Sequence, residues 1–164
     1  MTRKRVMLER LFAADARDVW DLWTTKDGIE SWWGPAGFKV TVRKLELRPG
    51  GTLLYEMTAI DPPQVAFMKR AGMPLTQKCR ITFTEVVPRR RLRYIHLVDF
   101  VPGVDAYDVD TLVELEKTPA GVRMVMTFDA MHSDEWTKRA VMGWENELGK
   151  LAAVLDARLP SRQR

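Results

Sequence analysis

The sequence predicts an α+β fold in which a curved antiparallel sheet of about seven strands wraps around a long C-terminal helix. Two changes in the spacing of apolar residues support this prediction. The spacing changes from helical to alternating at Phe38, alternates for roughly ninety residues, and returns to helical after Ser133. Strands joined by short turns form antiparallel sheets, and one face of such a sheet must be covered. A long apolar helix at the end of the chain is the natural cover.

The N-terminal segment predicts one strand followed by two short helices. Residues 5–12 have the composition of a strand, and residues 14–25 carry apolar side chains at helical spacing. Asp27 is positioned to cap the second helix. The Gly34-Pro35 pair is expected to end it, because proline disfavours helical geometry in the residue before it.

Alternation of apolar and polar residues predicts the remaining strands. A shift of phase near Arg43 and Lys44 indicates a bulge in the first of them. Residues 48–51 and the arginine run 89–91 predict turns, whereas residues 61–77 predict a long connection. The predicted strands span residues 38–47, 52–60, 78–87, 91–98, 108–116 and 122–129.

Each of these strands has one face that is expected to turn towards the helix. The acidic residues of strand 108–116 all fall on the opposite face of that strand, which predicts that they contact solvent and do not form a catalytic pair. In strand 78–87 the predicted inward residues are Cys79, Ile81, Phe83 and Glu85.

The C-terminal helix is predicted to begin after Ser133, a favourable N-cap residue, and to extend for about 25 residues. Two acidic residues in its first turn suit the helix dipole. One stripe at helical spacing is expected to face the sheet. It consists of Trp136, Ala140, Trp144, Leu148, Leu151 and Leu155.

The composition is typical of one globular domain. The chain has 164 residues, of which 46% are hydrophobic and 29% charged, so it has enough apolar side chains to bury a core. We expect a single domain over residues 1–164 with its core at about 5–156.

Several features predict a cytoplasmic protein that does not act in a membrane. No stretch approaches the roughly 20 apolar residues that span a bilayer, and no apolar segment follows the basic N-terminus. The single cysteine, Cys79, fits a reducing compartment and excludes a cysteine-rich zinc site.

The net charge of +4 does not predict a nucleic-acid-binding protein. The positive excess lies at the two tails and in one arginine run, 89–91 with Arg93, which is expected to be a solvated hairpin turn. The tail residues are Arg3, Lys4, Arg5, Arg158, Arg162 and Arg164.

Residues with catalytic or metal-binding chemistry are sparse. His96 and His132 are far apart and neither has a partner at a metal-ligand spacing, so we expect no metal site. No phosphate-binding loop or serine-nucleophile motif occurs, and we expect no cofactor. His96, which alternates with Tyr94 and Val98, is a weak candidate for a catalytic base; the alternative is a structural histidine.

Large apolar and aromatic side chains dominate the predicted inward faces, and they either fill a core or line a pocket. Methionine suits adaptable apolar pockets, because it is unbranched and polarisable. The ligand-binding candidates are Trp23, Trp33, Tyr55, Met57, Phe83, His96, Met124, Met126, Trp136 and Trp144.

The adjacent pair Trp32 and Trp33 leaves two arrangements open. One ring is expected to face the gap between sheet and helix while its neighbour packs against the outside of the sheet and helix. We favour Trp33 as the inward ring, although Trp32 lies three residues after Ile29 and is equally placed for the core.

The order of elements and several short motifs resemble a known family. These motifs are VWDLWTT (19–25), SWWGPAGFKV (31–40), LRPGG (47–51), EVVPRRRLRY (85–94) and GWENELGKLAAVL (143–155). Over residues 5–156 the chain resembles the START-like helix-grip superfamily. The nearest branch comprises bacterial proteins related to the C-terminal domain of the activator of the ninety-kilodalton heat-shock protein ATPase.

The resemblance implies a cavity between the sheet and the C-terminal helix, with the two short helices closing one end. Members of the superfamily bind lipids, hormones or polyketides, and some branches catalyse cyclisation, dehydration or hydrolysis. This chain departs from the family pattern in residues 64–80, which are longer and more apolar. Their apolar side chains are expected either to form a lid on the pocket or to pack against a second subunit in a homodimer. They are Val65, Phe67, Met68 and Met73.

Three functional hypotheses follow. The first is binding of a small hydrophobic or aromatic molecule in the cavity, without catalysis. The second is a cyclase or dehydratase that uses His96 or Tyr55 as acid or base in the same cavity. The third, which rests on the resemblance alone, is an interaction module for a chaperone partner.

Overall fold

A seven-stranded antiparallel sheet forms the centre of the protein, as predicted. The computed structural model describes the backbone of residues 4–162 and the side chains of residues 4–158; Arg3 and Arg164 of the basic tails, and the Arg162 side chain, lie outside these ranges. The spatial order of the strands is β1-β7-β6-β5-β4-β3-β2. The strands are β1 (Arg5–Phe12), β2 (Phe38–Leu45), β3 (Thr52–Ala59), β4 (Thr76–Val87), β5 (Arg91–Val98), β6 (Tyr107–Thr118) and β7 (Gly121–Asp129).

Within residues 4–162, four helices accompany the sheet: α1 (Ala16–Thr24), α2 (Lys26–Trp32), α3 (Pro62–Arg70) and α4 (Asp134–Arg162). Helix α4 has 29 residues, somewhat more than the sequence predicted. It contacts α1, α2 and β1, so it crosses the sheet while the two short helices stand at one end. This is the predicted helix-grip architecture.

The helix caps were only partly predicted. The Ser133 hydroxyl accepts a hydrogen bond from the Trp136 amide at 3.2 Å, which confirms it as the cap of α4. Helix α2 is capped by Thr25 instead of Asp27, since the Thr25 hydroxyl accepts from the Gly28 amide at 3.0 Å. Gly28 also lets α1 and α2 approach closely, because an added Cβ would collide with the carbonyl oxygen of Asp21.

The predicted long connection contains a helix, which is a correction to the sequence-based interpretation. Helix α3 begins with two prolines at its first positions, where their missing N–H groups cost no hydrogen bond. Met68 is buried, whereas Phe67 is 57% exposed. The helix is short and has a single buried side chain, so its apolar periodicity was too weak to recognise.

Two bulges adjust the sheet. The first lies between Val42 and Lys44, as predicted. The second, between Phe83 and Glu85, was not foreseen, and it reverses the inward and outward positions beyond it. As a result the prediction that Glu85 faces inward is wrong: Glu85 forms an ion pair with Arg91 at 3.0 Å, and Val86 packs against the core.

The inward faces of the strands meet the apolar stripe of α4. On β7, four alternate residues from Val122 to Phe128 are at most 1% exposed, and Leu148, Leu151 and Leu155 of α4 are buried against the same core. The acidic residues of β6 lie on the outer face, as predicted. There Asp110 binds Arg93 at 2.6 Å and Arg5 at 3.2 Å.

Among the residues that the structure describes, no helix is both long enough and apolar enough to cross a membrane.

Candidate functional site

A cavity of about 240 Å³ lies between the sheet and α4. One wall consists of residues from β3, β5, β6 and β7, and the opposite wall is a face of α4 that includes Trp136, Ala140, Gly143, Trp144 and Glu147. These helix residues recur at intervals of three and four, so they share one face. The turn after α2, residues 33–35, closes one side.

Six of the ten predicted ligand-binding residues line this cavity. They come from four parts of the chain: the end of α2, strands β3 and β5, and helix α4. Alternation on the strands and helical spacing on α4 predicted five of them as inward-facing, and Trp33 follows the predicted end of the second helix. They are Trp33, Tyr55, Met57, His96, Trp136 and Trp144.

The other four predicted residues, Trp23, Phe83, Met124 and Met126, are buried in the core and are not among the lining residues. Phe83, Met124 and Met126 lie on the inward face of the sheet, as expected, but further along their strands than the cavity. Trp23 lies on α1, where its ring stacks on the cavity residue Trp144 with centroids 5.9 Å apart. On β7 only Phe128 lines the cavity, and its register partner on β6 is Thr111, another lining residue. The cavity occupies only the end of the sheet formed by the last residues of β3, β5 and β7.

The tryptophan pair separates into a cavity residue and a core residue. Trp33 lines the cavity and is 5% exposed, in agreement with the favoured arrangement. Trp32 is fully buried and does not pack on the outside. Its indole N–H donates to the carbonyl oxygen of Leu22 at 2.7 Å, and its ring meets Trp23 edge-on at 4.7 Å.

Aromatic rings form adjacent walls of the cavity. Trp33 stands nearly perpendicular to Tyr55, at 85° with ring centroids 5.3 Å apart, and nearly perpendicular to Trp144, at 83° and 6.2 Å. Such edge-to-face pairs are favourable. They also place ring surfaces on more than one side of the same space.

Two buried nitrogen atoms at the cavity have no hydrogen-bond partner: Nε1 of Trp33 and Nε2 of His96. His96 as a residue is partly exposed, because it lines the cavity, but its Nε2 atom is buried. Burial lowers the pKa of His96 to about 4, with Asp99 acting weakly in the opposite direction. The imidazole is therefore neutral at pH 7.

The hydroxyl and thiol groups nearby are also held in their neutral forms. Burial raises the pKa of Tyr55 well above its ordinary value, with smaller contributions from Cys79 and Glu147. Burial likewise raises the pKa of the Cys79 thiol to about 11. Tyr55 and Cys79 are direct neighbours across β3 and β4.

Glu147 is the main polar feature that sequence reasoning missed. Its Oε1 atom accepts a hydrogen bond from the Gly34 amide at 2.6 Å, and the Nζ atom of Lys150 donates to the Gly34 carbonyl at 2.9 Å. Burial raises the pKa of Glu147 to about 7, against the opposing effects of the Gly34 N–H and Lys150. Gly34 has a φ of 87°, a conformation that favours glycine.

A signal for Glu147 was present in the sequence. It lies three residues after Trp144, on the helix face that the apolar stripe occupies. The stripe was traced through apolar residues alone, so an acid on the same face was passed over.

The rim of the cavity carries an exposed cation. The guanidinium of Arg139 lies 5.1 Å from the centroid of the Trp136 ring and forms an ion pair with Glu135 at 2.9 Å. His132 forms a hydrogen bond with the Tyr107 hydroxyl at 2.7 Å, next to Trp136.

The apolar residues expected to form a lid, Val65, Phe67, Met68 and Met73, are not among the residues that line the cavity. Within the described part of the chain, no group of three or more His, Cys, Asp or Glu side chains is arranged to hold a metal ion.

A larger groove, of about 740 Å³, lies outside the sheet between the start of α1 and the β6–β7 turn. It is wider than the cavity and is lined by Arg17, Arg89 and Lys117 together with small residues. Small ligands bind preferentially in concave, mostly apolar sites with a few polar groups. The cavity beneath α4 fits that description and the groove does not.

Comparisons with known proteins agree with this architecture. Residues 13–156 match the family model described as "Activator of Hsp90 ATPase homolog 1-like protein". A search of the curated proteins finds no match.

Solved structures from several bacteria share the fold. A protein of Chromobacterium violaceum is 21% identical, with a TM-score of 0.75 over 93% of this chain and 97% of that chain. The AHSA1 protein of Silicibacter pomeroyi is 21% identical, with a TM-score of 0.73 over 94% and 99% of the two chains. A protein of Arthrobacter aurescens is 23% identical, with a TM-score of 0.73 over 93% and 86%.

Proposed function

The chain belongs to the family of activator of Hsp90 ATPase homolog 1-like proteins, and from that premise we propose that it binds a small apolar or aromatic molecule between its sheet and helix α4. The observation that carries this proposal is the cavity of about 240 Å³ at that place. Ligand sites are typically concave and mostly apolar with a few polar groups, and the lining of this cavity has that character.

The size of the cavity indicates the size of the ligand. An apolar cavity of about 150 Å³ accepts benzene. A cavity of about 240 Å³ therefore accommodates one aromatic ring with a branched substituent. The ligands of typical pockets are larger, since those pockets begin at about 300 Å³.

The lining supports an apolar ligand. Phe100, Val109 and Phe128 contribute hydrocarbon surface, in addition to the predicted tryptophan, tyrosine and methionine side chains. Transfer of apolar surface from water into such a site contributes about 25 cal/mol per Å². The few polar groups would orient the ligand rather than supply most of the affinity.

Two glycines of α4 provide a matched test. An added Cβ meets no atom within 4 Å at either Gly143 or Gly149, but only Gly143 lines the cavity. Leucine at either position improves helix propensity by about 0.5–1 kcal/mol. Gly143→Leu also places a branched side chain at the cavity, whereas Gly149→Leu does not.

The measurement is isothermal titration calorimetry and thermal unfolding with neopentylbenzene, a neutral probe of suitable size. We expect saturable binding to the native protein and to Gly149→Leu, with a rise in Tm by mass action. Gly143→Leu should weaken binding by about tenfold or more, equivalent to about 1.4 kcal/mol. Absence of binding to the native protein, or equal binding to the two variants, would contradict the proposal.

The enzymatic alternative receives less support from the site. A general base works best when its pKa lies near the operating pH, whereas burial lowers the pKa of His96 to about 4. Tyr55, the other candidate, is held neutral by burial. If the cavity is catalytic, His96→Gln should abolish turnover of the substrate without changing the unfolding transition.

The description of the matched family favours a second candidate, interaction with a chaperone ATPase. The test is the steady-state ATPase rate of a purified Hsp90-type chaperone, with and without this protein. A concentration-dependent rise in rate is expected under this candidate, and an unchanged rate would count against it.

A further inference from the structure

We propose that the ligand of this cavity carries a substituted ammonium group, held between the Glu147 carboxylate and the rings of Trp33, Tyr55 and Trp144, with the rest of the molecule apolar. This inference rests on the proposed function and specifies the chemical class of the ligand.

The arrangement of the rings is the first reason. Trp33 lies nearly perpendicular to both Tyr55 and Trp144, with centroid separations of 5.3 and 6.2 Å, and all three side chains line the cavity. The faces of aromatic rings attract cations through their quadrupoles. Three rings around one space suit an alkylated ammonium group, because such a group can contact more than one of them.

The position of the carboxyl group is the second reason. Glu147 is one helical turn from Trp144, and it accepts from the amide of Gly34, the residue that follows Trp33. It is also close enough to Tyr55 to raise the pKa of that phenol. The carboxylate therefore borders the same space as the three rings.

The bonding of Glu147 leaves it able to act on a ligand. A carboxylate offers about four acceptor positions, and the structure shows the Gly34 amide on Oε1. Glu147 is half-buried, and removing a carboxylate from water is costly unless a cation matches it. The desolvation that raises the pKa of Glu147 to about 7 outweighs the opposing effect of Lys150, so that cost is only partly met. A ligand cation beside it would offset the cost.

The other charged and titratable groups near Glu147 do not already fill this role. Lys150 donates to the Gly34 carbonyl at 2.9 Å, so its ammonium is held at the turn. Arg139 is exposed at the rim and is paired with Glu135. On β5, burial lowers the pKa of His96 and raises that of Tyr94, so both are neutral at pH 7. Among the described residues that line the cavity, Glu147 is the single acid.

The test compares two probes of nearly identical shape. Benzyltrimethylammonium carries a positive charge, and neopentylbenzene is its neutral carbon analogue. Glu147→Gln keeps the side-chain volume and a carbonyl acceptor for the Gly34 amide but removes the charge. Glu145→Gln is the matched control, because Glu145 is exposed on the same helix and is not a lining residue.

We expect Glu147→Gln to weaken the binding of benzyltrimethylammonium by about tenfold or more in calorimetric titrations, since it removes the charge that faces a desolvated cation. Glu145→Gln should change the affinity for benzyltrimethylammonium by less than about twofold. Neopentylbenzene should bind the native protein and Glu147→Gln about equally. The affinity of the cation should rise between about pH 6 and pH 8, as Glu147 loses its proton.

Each contrary outcome is distinct. Equal binding of the cation to the native protein and Glu147→Gln would overturn the inference. An affinity that falls as the pH rises would also overturn it, because the ionised carboxylate would then not attract the cation. Binding of neopentylbenzene without binding of the cation would overturn the inference and leave the proposed function intact. If neither probe binds, both are wrong.

Discussion

The replacement Glu147→Gln should change how the stability of the unliganded protein depends on pH. The folded-state pKa of Glu147 is raised from an ordinary value of 4.5 to about 7 because the carboxyl is buried. Between these two values the folded protein binds the proton more tightly than the unfolded chain does. The free energy of unfolding therefore falls as the pH rises through this window.

The magnitude follows from the two pKa values. Their difference is 7 − 4.5 = 2.5, and each step of one is worth about 1.4 kcal/mol, so the full effect is about 3 kcal/mol above pH 7. Between about pH 5 and pH 8 we expect Glu147 to lower the unfolding free energy by about 2–3 kcal/mol. Glutamine does not titrate, so Glu147→Gln should lose that much less stability than the native protein over the same interval.

The assay is urea unfolding at both pH values, with Glu145→Gln as the control for removing an exposed acid from α4. Contributions from other titrating groups cancel when the native protein and each variant are compared at the same pH. An identical change in unfolding free energy for the native protein and Glu147→Gln would refute the assignment of a proton to the buried carboxyl.

Three further predictions concern packing and reactivity. Trp32→Phe should lower the unfolding free energy, measured by urea titration, by about 2–4 kcal/mol, because it leaves a carbonyl of α1 without its donor and opens a void. Trp33→Phe removes an N–H that has no partner, so it should lower the unfolding free energy clearly less. The Cys79 thiol is buried and its pKa is raised to about 11. At pH 8 it should therefore react with Ellman's reagent at least about a hundredfold faster in urea than in the native state. Equal rates would contradict its burial. Gly28→Ala should destabilise the protein by about 1–3 kcal/mol in thermal unfolding, because the methyl group collides with the backbone of α1. Gly149→Ala, where the space is open, should stabilise the protein by up to about 1 kcal/mol. A similar change for both variants would argue against the close approach of α1 and α2.

Much of the fold was predictable because its information is local. Composition identified β1, alternation identified the other six strands and the bulge near Val42, and helical spacing identified α1, α2 and α4. Helix α3 was missed because it buries a single side chain, Met68, and so leaves little periodicity. The bulge after Phe83 was missed although the alternation breaks there, since the acid Glu85 takes the next position on the apolar face and Val86 follows it out of phase.

The candidate site was predictable only in part. Alternation along a strand shows which face a residue occupies, and this was sufficient to predict that Tyr55, Met57 and His96 face inward. Alternation does not show at which end of the sheet a cavity remains beneath the helix. Phe83 and Met124 share the inward face but lie at the packed end.

The sequence by itself determined the order and type of most elements and the inward face of most strands, because these depend on spacings of two to four residues along the chain. Only the tertiary structure decided where packing is incomplete, and that Glu147 reaches across to the amide of Gly34, 113 residues away in the sequence. Such pairings depend on how α4 lies across the sheet, and that placement comes from the sum of many long-range contacts, which no short pattern of residues encodes.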